Sequence, residues 1–199
     1  FMPKPLEGVA GSGMHLHQCV TLADGTDAFG DPVDEHGLSS TARGWIGGQL
    51  AHARAACAVL APQVNSYKRI GRGFDAPSAI AWSRREPSAM LHVARPVLTR
   101  RGRSGRRPVL VEIRHADPSR NPYLAIAVAI ASGIDGVREG IDAPPPLIAG
   151  DPQGAGRAEA GQREDLGLEG GMQPQGRQPE EEDGHGRAQG GGRAPSGVP

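Results

Sequence analysis

The spacing of apolar residues changes several times along the chain, and each change marks an expected element. Met14 to Leu22 reads as a strand, closed by a turn at Asp24-Gly25, and a polar loop continues through Gly37. Ser39 and Ser40 offer an N-cap for a helix running to about Leu60. Along it Trp45, Ile46, Leu50, Ala53, Cys57 and Leu60 recur near helical spacing, which predicts a core-facing side, and Pro62 stands just beyond its end. Ser78 to Trp82, Ala89 to Val93 and Val109 to Arg114 predict three further short strands. A second helix is expected from Asn121-Pro122, a cap residue followed by proline in the first turn, to about Ile141. The elements lack strict βαβ alternation, which favours an α+β fold over a doubly wound sheet.

Composition divides the chain near Pro144. From about Ile148 it is mostly Gly, Pro, Gln, Arg and acids, with Glu180, Glu181, Glu182 and Asp183 in a row. Such a stretch buries too little apolar surface to offset the entropy of ordering it, so residues 1–147 are expected to fold and 148–199 to form a disordered tail. The 22 Lys and Arg residues balance 22 Asp and Glu, so no global charge draws the chain to nucleic acid or an anionic membrane. Cys19 and Cys57 are too few for a disulfide framework and lack zinc-type spacing, which points to a reducing cytoplasm. No run approaches the roughly 20 apolar residues that span a bilayer. The chain opens on Phe1 and enters a motif at once, as a piece of a longer protein would.

Three segments concentrate chemistry. In KPLEGVAGSGMHLHQC, Gly8, Gly11 and Gly13 allow backbone to approach a ligand, and His15 and His17, two apart on a strand, share a face. Such a pair suits a metal or a phosphate, and it equally suits ordinary surface histidines. NSYKRIGRGFDAP reads as a glycine-rich loop with Lys68, Arg69, Arg72 and one acid, Asp75, either a closing flap or a solvated connection. VLVEIRHADPSRNPYL sets Glu112 and Arg114 on one face of an apolar strand. That arrangement serves a structural ion pair, or a cation at Glu112 and an anion at Arg114.

In this order the three segments resemble those of glutamine synthetases: KPLEGVAGSGMHLHQC the ATP-region signature, NSYKRIGRGFDAP the flap, and VEIRHADPSRNPYL the stretch leading into the long C-terminal helix. The resemblance runs from Phe1 to about Leu147 and includes IGGQLAHA and GIDGVREGID. It implies part of a catalytic domain in which antiparallel strands form part of an active-site barrel flanked by helices. It further implies that His15 and Glu112 ligate a divalent ion, Mg2+ or Mn2+, and that His17, Cys19 and Arg85 lie at ATP. Gly11, Arg69 and Arg114 would bind glutamate, with Asp75 and Arg69 as catalytic residues. The implied reaction phosphorylates the glutamate side chain from ATP, after which ammonia or another amine displaces phosphate. A homo-oligomeric ring in the full-length protein is also implied, together with a fragment that is inactive alone.

Several positions depart from the family pattern. Cys19 replaces a serine, Ala10 an asparagine, and Asp75 a glutamate one methylene longer. Pro87, His92 and Leu110 each stand at a usual arginine. These changes leave open a γ-glutamyl ligase for a polyamine or other amine, and a noncatalytic homologue. The arginines between Arg95 and Arg107 suggest electrostatic contact with nucleic acid, but aromatic residues make up only 4% of the chain and none is interleaved there. A solvated loop beside a phosphate site explains them better, and no nucleic-acid partner is expected.

Overall fold

The computed structural model describes residues 2–70, 76–94 and 108–148. The chain divides after Leu168, and the second unit, Glu169–Pro199, lies outside the described residues. So do nearly all of the expected disordered tail, Asp75 with the flap's glycines, and the arginine-rich stretch from Arg95 to Arg107.

In chain order the elements are β1 (Leu16–Gln18), α1 (Ser40–Ala51), α2 (Ala53–Leu60), α3 (Val64–Arg69), β2 (Ala79–Ser83), β3 (Ala89–Ala94), β4 (Leu110–Ile113) and α4 (Pro122–Glu139). The α+β expectation holds, and the three later strands and the last helix fall within a few residues of their predicted bounds. Ser39 caps α1 by accepting the Ala42 N–H, and Asn121 caps α4 by accepting those of Tyr123 and Leu124. The α4 C-cap is Gly140 at φ +65°, a left-handed conformation that Gly adopts without Cβ strain.

Four expectations are corrected. The first strand is three residues long; beyond it Thr21 and Asp27 form an isolated antiparallel bridge outside the sheet. The long helix is broken at His52, whose N–H still reaches the Gly48 carbonyl while its ring turns out to meet Asp135 on α4 at 2.7 Å. Asn65 to Arg69, expected as loop, is helical in α3, where Ser66 Oγ accepts the Gln63 N–H at 3.2 Å and anchors the first turn. Six residues hold too few turns for a period to show in sequence.

The fourth concerns the sheet, whose order is β1-β4-β3-β2. The β1–β4 and β3–β4 pairs are antiparallel as expected, but β2 and β3 run parallel, with Ser83 opposite His92. A parallel return usually needs a dozen residues or more. Here the link is short because Ser83 Oγ accepts the Arg85 and Glu86 N–H groups and turns the chain back at once. The Glu86 carboxylate then accepts the Ser88 N–H and hydroxyl and fixes the other end.

The sheet has two unlike faces. Trp82, Leu91, Val93, Val111 and Ile113 are buried against Trp45, Ile46 and Leu50 of α1 and Ala125 and Ala129 of α4. The opposite face carries His17, Glu112 and His92 in a row across β1, β4 and β3. Gln18 joins the sheet to the helices, its Oε1 accepting Trp45 Nε1 at 3.2 Å and Gln49 Nε2 at 2.8 Å. Helices α1 and α4 cross at glycines: a Cβ on Gly136 would strike the Gly44 carbonyl and the Gly48 backbone, and one on Gly133 the ring of Trp45.

Candidate active site

The polar row follows from strand parity. With Leu16, Val111, Ile113 and Leu91 turned into the core, the period of two sends His17, Glu112 and His92 to the other side. His15, one residue before β1, shares that side. Its Nδ1 lies 2.5 Å from Glu112 Oε1, so two residues far apart in sequence meet in a hydrogen bond. A carboxylate oxygen accepts, hence Nδ1 carries the proton. The bond from His15 holds the Glu112 carboxyl below its usual value against the opposing effect of burial, and the charges of His15, His17 and His92 act in the same direction.

His17 Nε2 is 3.9 Å from Glu112 Oε1 and His92 Nδ1 is 3.7 Å from Oε2, both beyond hydrogen-bond reach. Among the described residues no group of three or more His, Cys, Asp or Glu side chains is gathered closely enough to hold a metal ion. The donor chemistry nevertheless fits a divalent ion on one side. An imidazole and a carboxylate already share a proton, and a cation binds such a pair by displacing it.

The other expected site residues are distributed around this pair. Gly11 and Gly13 lie directly on the Arg69 side chain: a Cβ at Gly13 would meet Arg69 Nη2 at 2.5 Å and His15 Nε2 at 3.0 Å. Cys19 is exposed just past β1, and Arg85 is exposed in the turn between β2 and β3. Arg114 is buried and donates to the Pro87 carbonyl. Arg69, read in sequence as a substrate contact, is buried behind the glycine loop. It donates to the carbonyls of Arg114 at 2.8 Å, His115 at 3.2 Å and Ala116 at 3.4 Å. That role, clamping the exit of β4 beneath the loop that precedes His15, had no sequence signal because backbone carbonyls are invisible in it.

His92 was noted in sequence only as a departure from the family pattern. The structure brings it to Glu112 from the strand opposite His17. His115, also passed over, sits beside Arg69 and Arg120 with both ring nitrogens buried and unpaired. Burial first, then the charges of Arg69 and Arg120, push it down from 6.5 to about 4.

The sign of the resulting pH dependence follows directly. Between 6.5 and about 4 the unfolded chain takes up a proton at His115 that the folded chain refuses. Stability is therefore full above 6.5 and falls as pH is lowered through that window, by about 3 kcal/mol in all. Urea unfolding at stepped pH should show this limb in the parent and a flatter one in His115→Leu. An unchanged slope in the variant would refute the assignment.

A family described as "Glutamine synthetase, catalytic domain" matches residues 1–165. The glutamine synthetase of Thermus thermophilus is 47% identical over 147 residues, 74% of this chain and 31% of the relative. That of Archaeoglobus fulgidus is 47% identical over 151 residues, 74% of this chain and 30% of the relative. A solved structure titled "Apo GmaS without ligand" superimposes with a TM-score of 0.61 at 32% identity, covering 74% of this chain and 31% of that one. The chain thus spans about a third of the length of these relatives.

Proposed function

The chain belongs to the glutamine synthetase catalytic-domain family, and from that premise we propose that it supplies part of the active site of an ATP-dependent ligase joining ammonia to glutamate. The observation that carries the reading is the meeting of His15 and Glu112 at 2.5 Å on the polar face of the sheet. Around them we assign His17, Cys19 and Arg85 to ATP, Gly11 and Arg114 to glutamate, and Asp75 to the incoming amine. Arg69 is given a positioning part, because its three carbonyl bonds hold the strand exit and the glycine loop in register.

The chemistry asks for these residue types. Phosphoryl transfer to a carboxylate gathers several negative charges, and fixed cations that meet them stabilise the transition state. A divalent ion, Mg2+ or Mn2+, bound at His15 and Glu112 would supply charge neutralisation at the phosphates. The acyl phosphate must then be kept from water until the amine arrives, the task of a closing segment such as the one bearing Asp75. A cytoplasmic, ring-forming protein is part of the proposal, by likeness to the family. No helix among the described residues is long and apolar enough to cross a membrane.

The test is a chimera in which residues 1–147 replace the matching third of the Thermus thermophilus relative. Supplied with ATP, glutamate, a divalent cation and ammonium, it should form glutamine and release phosphate. Putrescine or methylamine used in preference to ammonium would move the acceptor to another amine while keeping the ligase. A folded chimera that turns over ATP with none of these amines would refute the reading.

A further inference from the structure

We propose that Asn65 is a positioning residue for the glutamate site: it clamps the backbone at Lys4 and, together with Arg69, fixes the loop that presents Gly11. The inference rests on the assignment of Gly11 to glutamate and adds to it the group that holds Gly11 in place.

Asn65 and Arg69 stand four residues apart on α3, so they share one face of that helix. Asn65 spends both ends of its amide on a single residue of the glycine loop. Its Oδ1 accepts the Lys4 N–H at 2.7 Å, and its Nδ2 donates to the Lys4 carbonyl at 2.9 Å. An amide is both donor and acceptor, and using the two on one backbone unit sets the orientation of that unit as well as its distance.

The clamp reaches Gly11 through the loop's own bonds. Pro3, next to Lys4, accepts the Ser12 N–H at 2.8 Å, and Lys4 Nζ donates to the Val9 carbonyl. Residues 3–12 are thereby tied into one piece. Gly11 lies between the two supports: a Cβ there would strike the Pro3 carbonyl and meet Arg69 Cγ at 3.0 Å. Backbone this close to its neighbours leaves no room for a side chain.

The chain beyond the loop is held differently. The Met14 N–H donates to the Ala116 carbonyl at 3.0 Å, an oxygen that Arg69 also reaches, and His15 bonds Glu112. None of these contacts passes through Asn65. Removing its side chain therefore frees Gly11 and leaves the His15 end in register, so the effect should fall on glutamate and spare the nucleotide. A merely structural part would instead lower the amount of folded enzyme and move neither KM.

In the active chimera, Asn65→Ala should raise KM for glutamate by about 10- to 30-fold, the loss of two ordinary hydrogen bonds, with kcat and KM for ATP within about 3-fold of the parent. Alanine is a better helix former than asparagine, so α3 should survive the change. Val64→Ala, on the exposed side of the same helix, should leave both KM values as they were. In the 199-residue protein, amide exchange at Ser12 should quicken by about 10-fold in Asn65→Ala while that at Met14 keeps its parent rate. Equal glutamate KM in parent and Asn65→Ala, a rise shared equally by ATP, or unchanged Ser12 exchange overturns the proposal and leaves the ligase reading intact. A folded parent chimera that forms product from none of the amines sinks the ligase reading and this assignment with it.

Discussion

Glu112→Gln, placed in the active chimera, should lower turnover by about 10²- to 10³-fold, the usual consequence of removing one electrostatic contact to a developing charge. Glutamine keeps the size and can still accept from His15, so the fold should survive. What it lacks is the negative charge that three imidazoles surround and that the His15 bond stabilises in its ionised form. Thermal unfolding at neutral pH should therefore shift down only by the modest stability that the ionised carboxylate contributes, while ATP-dependent product formation collapses. Comparable turnover in parent and variant would show that the carboxylate has no part in the chemistry. The same substitution should also remove the part of the acid limb that lies below Glu112's ordinary 4.5. The depressed carboxyl contributes stability above that value and loses it as pH falls through the folded pKa.

Gly136→Val should destabilise the chain by at least about 3 kcal/mol, a large share of the roughly 5–15 kcal/mol that holds a domain together. The reason lies at the crossing of α1 and α4. There a Cβ on Gly136 meets the Gly44 carbonyl and the Gly48 backbone, and a Cβ on Gly48 meets the Ser132 carbonyl and Gly136. Backbone cannot swing aside as a long side chain can, so the helices would have to separate and uncover Trp45, Ile46 and Leu50. Ala131→Val, on the exposed side of α4, should cost under about 1 kcal/mol. Equal urea midpoints for the two variants would contradict the close packing.

Much of this was legible in the residues. Asn121-Pro122 announces α4 because an Asx side chain and a proline ring each satisfy a helix start in their own way, and β3 and β4 announce themselves through branched apolar residues. The pairing of His15 with Glu112 came from the family likeness. What stayed hidden depends on the third dimension. The register that sets His92 beside Glu112 is a property of two strands together, and no single stretch encodes it. The carbonyl partners of Arg69 leave no mark in sequence, so an arginine in a glycine-rich segment reads as a ligand contact. The break at His52 falls within a continuous apolar rhythm, and its cue, the pairing with Asp135, lies on another helix. IGGQLAHA and SGIDGVREG carried the glycine crossing openly, but small residues in a helix read as weak helix formers until a second helix is seen against them.

Manganese binding to the 199-residue protein, followed by the loss of the free-ion electron paramagnetic signal, bears most directly on the pairing at the centre of the site. Parent, His15→Ala, Glu112→Gln and the double variant should be compared in one series. If the imidazole and the carboxylate grip the same ion, either single change removes most of the binding and the double change adds little more. Should both single variants hold manganese as tightly as the parent, the two residues are a structural pair and the cation lies elsewhere.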